Sequence, residues 1–199
     1  SADGERTMAT HIGIGSQLNS NELTEDKLQG IDHIYMESYL WDHEYTKQTL
    51  KKVGNIAKTK NIETSLSLSD PFCVDRHLGE LKSFIEEYVD LVFCNFDEAK
   101  MFAQSETMAD VSAFFQSFGK KIAMTAGAEG AYFFQGETIA HQPAQKIDQV
   151  IDTTGAGDNF AAGFLDQYLS DKIIGEALAH GNARAGEVIQ QLGPRIKRH

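Results

Sequence analysis

The stretch VDLVFCN, Val89 to Asn95, is an almost unbroken apolar run. A strand with one wet face alternates polar and apolar residues, so a run without that alternation reads as a strand covered on both faces, the condition of a parallel sheet between layers of helix. Such a sheet needs strands and helices in turn, and the chain supplies them. RTMATHIGIG, Arg6 to Gly15, follows the Asp3-Gly4 turn and reads as an edge or hairpin strand. NELTEDKLQG offers Thr24 as cap and Gly30 as stop for a short helix, and IDHIYMES reads as a buried strand. Asp42 is expected to cap a longer helix whose apolar face carries Tyr45, Leu50, Val53, Ile56 and Ala57. IETSLSLS is a strand ending at Asp70-Pro71, and VDRHLGELKSFIEEYV has the period of an amphipathic helix.

Beyond Asn95 the pattern predicts two short helices, Glu98 to Ala103 and Met108 to Phe118, then a strand, KIAMTA, and a hairpin, AYFFQGETIAHQ, turning at Gln135-Gly136. Two helices close the chain, Ala156 to Leu169 and Ile174 to Gln191, with Gly193-Pro194 stopping the second. The expected fold is a doubly wound, mostly parallel α/β sheet with helices on both faces and right-handed crossovers, in a single domain. Ligands bind such sheets at the carboxyl ends of the strands.

At 199 residues, 41% hydrophobic and 24% charged, the chain is an ordinary globular length and composition. Its formal net charge of −11 excludes a general affinity for nucleic acid or anionic membrane, so any phosphate it binds must be met locally. Cys73 and Cys94 lack the spacing of a zinc or dithiol motif, which leaves free thiols and a cytoplasmic setting as the simplest expectation. No apolar run is long enough to span a bilayer, and the N-terminus lacks a signal-peptide pattern.

Three motifs fall where the fold would place a ligand. The first is VIDTTGAGDNFAAGFL, Val150 to Leu165, in which Gly155, Ala156 and Gly157 precede Asp158 at the start of a helix. Consecutive backbone N–H groups at a helix N-terminus hold an anion. A carboxylate beside that anion is disfavoured by repulsion unless it has a task, such as taking a proton from an attacking hydroxyl. A plain glycine turn with a first-turn acid is the competing reading of these residues taken alone. The second, Asn95 and Glu98 after a buried strand, has the spacing of a helix capping box, which is what it reads as alone. The third, Thr125-Ala126-Gly127-Ala128-Glu129-Gly130, reads alone as a hairpin turn.

Taken in order, these strings resemble the PfkB family, the ribokinase-like carbohydrate kinases. The resemblance implies an ATP- and Mg2+-dependent phosphotransferase. Asp158 would be the general base, with the N–H groups of Gly155, Ala156, Gly157 and Asp158 as the anion hole. Asn95 and Glu98 would place magnesium and the phosphates, while Thr125, Gly127 and Gly130 approach ATP. Asp152 and Thr154 would contribute to a monovalent-cation site, K+, mainly through backbone oxygens. Ala161, Ala162 and Gly163 would let their helix press close to the sheet.

Within the closing stretch ALAHGNARAGEVIQQLGPR, Asn182 would face the nucleotide, though a surface asparagine fits equally. DGERTMATHIG, YMESYLWD and LSLSDPFCVDRH resemble an adenosine-kinase-like branch. There Arg6 would reach the acceptor or the transferred phosphate; a solvated arginine on an edge strand accounts for it as well.

The resemblance covers essentially the whole chain but roughly the last three-fifths of a typical member. It therefore implies a fragment: residues 1–15 as a lid-proximal strand segment and 16–199 as the nucleotide-binding core, without the first strands and most of the lid. An exposed sheet edge of that kind leads to the expectation of a homodimer or of a need for the missing half. The expected partner is a small sugar or nucleoside, with nucleic acid and membrane excluded. The alternatives are a nucleotide-binding module without catalysis and, more weakly, a dinucleotide oxidoreductase, whose early glycine fingerprint and following acid are not found in that order.

Overall fold

The computed structural model describes residues 11–196. These form two compact units, one of residues 11–122 with 135–137, the other of residues 123–134 with 138–196.

The first unit is built on three parallel strands, β1 (His33–Glu37), β2 (Glu63–Ser67) and β3 (Leu91–Asn95), with Ile34 opposite Thr64 and Leu66 opposite Val92. The apolar run behaves as its composition requires, with Leu91, Val92, Phe93 and Cys94 all buried. Polar residues inside β2 are satisfied. Thr64 donates through Oγ1 to the Tyr88 carbonyl at 2.6 Å, and Ser65 Oγ lies 2.8 Å from His33 Nε2. Four helices belong to this unit: α1 (Glu44–Lys60), α2 (Pro71–Tyr88), α3 (Phe96–Ala103) and α4 (Met108–Phe118). Asp70 caps α2 through the N–H groups of Phe72 and Cys73, and Pro71 occupies its first turn, where a missing N–H costs nothing. The helix kinks at His77, whose φ of −125° is not helical. Gly54 lets α1 approach α2, since a Cβ there would lie 2.6 Å from the Tyr88 ring.

Three expectations change in this unit. Residues 13–17 form a 3-10 turn rather than a strand, because Gly13 sits at φ +61° and Ser16 Oγ donates to its carbonyl; residues 1–10 lie outside the described range. Asp42 does not cap α1. It binds Arg76 at 2.8 Å and His77 at 2.9 Å instead, and His43 takes the cap position without a side-chain bond. Tyr45 is 70% exposed, while Leu50, Val53, Ile56 and Ala57 are buried.

The chain passes into the second unit within β4 (Lys121–Thr125). Strands β4, β5 (Ala131–Gln135) and β6 (Thr138–Gln142) are neighbours in that order, joined only by residues 126–130 and by Gly136-Glu137. Links this short join antiparallel strands, because a parallel crossover needs a dozen residues or more. Helix α5 (Ala156–Asp171) packs on β5 through Phe164 and Phe133, ring centroids 6.1 Å apart.

The partner of α5 is α6 (Ile174–Val188), which ends before the expected Gln191. A Cβ on Gly163 would meet the His180 carbonyl at 2.9 Å, and one on Gly181 would meet the Phe160 ring at 2.8 Å. Gly163 therefore serves the approach of α5 to α6 rather than to the sheet, and Ala162 is exposed. The fold class is α/β as expected, parallel in β1 to β3 and, by the shortness of the links, antiparallel from β4 to β6. Both cysteines are free and buried. Among the described residues no helix is long and apolar enough to cross a membrane.

Candidate active site

The glycine motif opens α5 as its spacing dictates. Gly155 adopts the left-handed conformation, φ +79°, which a side chain rarely tolerates. The preceding turn is tied by Asp152, whose Oδ1 accepts from the Thr154 N–H at 2.9 Å and from its hydroxyl at 2.5 Å. Its Oδ2 accepts from the Gly193 N–H at 2.9 Å. Ile151 and Asp152 both donate their N–H groups to the Ile189 carbonyl. No side chain caps α5. In its first turn the Ala156 N–H donates to the Thr153 carbonyl at 3.2 Å, whereas those of Gly157 and Asp158 have no acceptor within the helix and carry the positive end of its dipole. Gly157 and Asp158 are exposed, and a Cβ on Gly157 would enter open space.

Thr125 ends β4 and leads into a tight loop. Ala126 donates to the Gly130 carbonyl at 2.8 Å, and Gly130 to that of Gly127 at 3.1 Å. Gly127 and Gly130 both have positive φ, +55° and +101°. Gly130 is irreplaceable on steric grounds, since a Cβ would lie 2.1 Å from the Gln142 carbonyl oxygen. That same oxygen accepts from Asn182 Nδ2 at 2.9 Å, and the Pro143 carbonyl accepts from it at 3.2 Å. Gly130 and Asn182 thus converge on Gln142, and the Asn182 amide group is used to hold α6 to the end of β6.

In the other unit, Asn95 and Glu98 form a complete capping box at the carboxyl end of β3. Asn95 Oδ1 accepts from the Glu98 N–H at 2.8 Å, and Glu98 Oε2 accepts from the Asn95 N–H at 3.0 Å. Asn95 Nδ2 also donates to Glu98 Oε1 at 2.8 Å. Glu98 is only 6% exposed. Burial raises its pKa from 4.5 to about 7; the Asn95 N–H opposes that rise, while Asp70, Glu37 and Asp97 add to it. Glu37 ends β1, and Asp70 follows β2, so these acids gather at the carboxyl ends of the parallel strands.

This donor set fits magnesium: hard oxygens, an excess of negative charge, and lone pairs left on each carboxylate oxygen after one hydrogen bond. Among the described residues no three His, Cys, Asp or Glu side chains are placed to ligate an ion directly. A hydrated ion is therefore what Asn95 and Glu98 would hold.

The structure brings together Asp152, Thr154 and Gly155 at one turn, Gly130 and Asn182 at another, and Asn95 with Glu98 in the first unit. Arg6 lies outside the described residues. Sequence reasoning missed Asn159. Its Nδ2 donates to the carbonyls of Gly155 at 2.8 Å and Pro194 at 3.0 Å. Its place one turn after Gly155 is visible in the sequence, whereas its partner 35 residues on is not.

The model of the pfkB family carbohydrate kinases matches residues 1–198. Adenosine kinase from Schizophyllum commune is 24% identical over 215 aligned residues, which cover 97% of this chain and 62% of that protein. The crystal structure of adenosine kinase from Sinorhizobium meliloti superposes with a TM-score of 0.93 at 36% identity, over 97% of this chain and 59% of that one. An E. coli protein described as a ribokinase II, solved in complex with ATP and Mg2+, shares the fold at a TM-score of 0.78 and 19% identity, over 89% of this chain and 58% of that one. The chain thus spans about six-tenths of the length of these relatives. On the family match along nearly its whole length, this chain belongs to the pfkB family of carbohydrate kinases.

Proposed function

We propose that this chain carries the phosphate-handling part of an ATP-dependent kinase that transfers the γ-phosphate to a primary hydroxyl of a nucleoside of the adenosine type or of a sugar. The observation that carries this reading is the start of α5, a helix opened by a left-handed glycine, without a side-chain cap, with Asp158 exposed on its first turn. Phosphoryl transfer spreads negative charge over the peripheral oxygens of the transferred group, and backbone N–H groups aimed at that charge stabilise it without reorganisation.

In this reading the Asp158 carboxylate takes the proton of the acceptor hydroxyl as its oxygen bonds to the γ-phosphorus. The bond from that phosphorus to the β–γ bridging oxygen breaks, and ADP leaves. The N–H groups of Gly155, Gly157 and Asp158 hold the transferred oxygens, and that of Ala156 joins them by leaving the Thr153 carbonyl. Thr125 and the backbone of Gly127 to Gly130 line the approach of the remaining phosphates. In the other unit, Asn95 and Glu98 are the residues that would hold a hydrated Mg2+, which would supply charge neutralisation. The side-chain oxygens of Asp152 are engaged by Thr154 and Gly193, so a K+ ion at this turn would be met by backbone carbonyls. The adenosine kinases among the relatives support a nucleoside as acceptor.

For these 199 residues taken alone, nucleotide binding without transfer is the second reading, because they span about six-tenths of the relatives' length. Incubation with ATP, Mg2+ and a panel of adenosine, other nucleosides and common sugars separates the two. ADP formed with one acceptor, and lost in Asp158→Asn, supports transfer. ADP formed equally by Asp158→Asn overturns the role of Asp158.

A further inference from the structure

The segment after α6 lies against the turn that opens α5, and two of the residues that make the contact, Asn159 and Pro194, have no assigned part in the chemistry. Pro194 packs so closely on Gly155 that a Cβ on the glycine would sit 2.7 Å from the proline Cβ and 2.9 Å from its Cα. Asn159 spans the same joint. Its Nδ2 donates to the Gly155 carbonyl at 2.8 Å and to the Pro194 carbonyl at 3.0 Å, while its own N–H makes the first helical bond, 2.9 Å, to Gly155. On the other side of the turn Asp152 ties Thr154 to the Gly193 N–H, and Gly193 itself is left-handed at φ +89°. Below them the Ile189 carbonyl accepts from both Ile151 and Asp152. The turn Asp152 to Gly155 is therefore held from both flanks by residues 189–194.

We infer that Asn159 and Asp152 are positioning residues, which clamp Gly193-Pro194 onto Gly155 and so fix the direction of the first-turn N–H groups of α5. The physical need is plain. A glycine turn without a side-chain cap has little to hold its peptide planes, and glycine loses more conformational freedom on ordering than any other residue. Stabilisation of a developing charge depends on donors already aimed at it, and a misplacement of about 1 Å costs about 100-fold in rate. The clamp supplies that aim from 35 residues away and takes up none of the N–H groups of Gly157 and Asp158; the Ala156 N–H is held by the Thr153 carbonyl at 3.2 Å. It acts on the γ-phosphate rather than on the adenine or acceptor.

The inference rests on the reading of α5 as the phosphate site, and its test keeps the two apart. Asn159→Leu preserves approximate shape and removes both donors. By calorimetry with Mg2+, the affinities for ADP and for a non-hydrolysable ATP analogue are compared in wild type, Asn159→Leu and Gly157→Val. The expected result is that Asn159→Leu keeps the ADP affinity within about 3-fold and loses about 10-fold of the preference for the triphosphate. Where turnover is measurable, kcat falls by a similar factor with the acceptor KM unchanged.

Should Asn159→Leu fail to fold, Pro194→Gly removes the ring seated on Gly155 and reads the same preference. An unchanged triphosphate preference in a folded clamp variant, with the preference lost in Gly157→Val, overturns the clamp and leaves the phosphate site standing. Unchanged preference in Gly157→Val as well, or no nucleotide bound by wild type, overturns both.

Discussion

Asn95 and Glu98 hold each other at both ends, the amide oxygen of one on the backbone N–H of the other at 2.8 Å and the carboxylate returning to the first N–H at 3.0 Å. The cap closes α3 onto the end of β3 and, in doing so, keeps a carboxyl group at 6% exposure beside Asp70, Glu37 and Asp97. One pair thus terminates a strand, starts a helix and buries a carboxyl group among other acids.

Glu98 should make stability fall as pH rises. Its folded pKa of about 7 lies above the ordinary glutamate value of 4.5, so between those values the folded chain binds more protons than the unfolded one. The contribution is full below pH 4.5 and is lost as pH climbs through about 7, a swing of about 3 kcal/mol. In urea titrations from pH 5 to 8, Glu98→Gln should flatten that slope. An identical slope in the variant would show that Glu98 does not titrate this way.

Asp158→Asn should reduce kcat by about 100- to 10,000-fold in a protein that turns over, while nucleotide affinity stays within about 3-fold. The comparison is made by ADP release and by calorimetry on the same preparations. The exposed position of Asp158 predicts little change in melting temperature.

Gly130→Ala and Gly127→Ala should separate in stability although both replace left-handed glycines. Gly127 faces open space, so alanine there costs about 1 kcal/mol of backbone strain. At Gly130 the added carbon would meet the Gln142 carbonyl at 2.1 Å, and the loss should exceed that by several-fold. Equal midpoints in denaturant would contradict the close approach of the loop to Gln142.

Leu50→Ala should cost about 2–5 kcal/mol, as a buried leucine on α1. Tyr45→Ala on the same helix should stay within about 0.5 kcal/mol, because Tyr45 is 70% exposed. The pair measures by unfolding free energy which face of α1 is covered.

The parts of the fold legible in the sequence were those with a local cause. VDLVFCN needed two covered faces and has them, and Asn95 with Glu98 starts a helix by bonds within three residues, whereas Asp70-Pro71, expected to end a strand, also caps α2, which begins three residues before the expected Val74. The illegible parts depended on distant partners. Asp42 looks like a cap until Arg76 and His77 are brought to it, and the β-branched pattern around Gly13 gives way to the left-handed turn the glycine permits. Asn182 has the composition of a ligand-facing amide, yet it is spent on the carbonyls of Gln142 and Pro143. At the site, the glycine string announced the helix start at Gly155, whereas nothing near Asn159 in sequence signals that Pro194 lies beside it.

The most direct measurement is a calorimetric titration of the 199-residue chain with ATP and Mg2+, repeated with Gly157→Val. The account expects one site with a Kd below about 1 mM, weakened in the variant because the side chain obstructs the first turn of α5. Equal affinity in the variant, or no heat of binding in the wild type at millimolar nucleotide, would contradict a phosphate site at the start of α5.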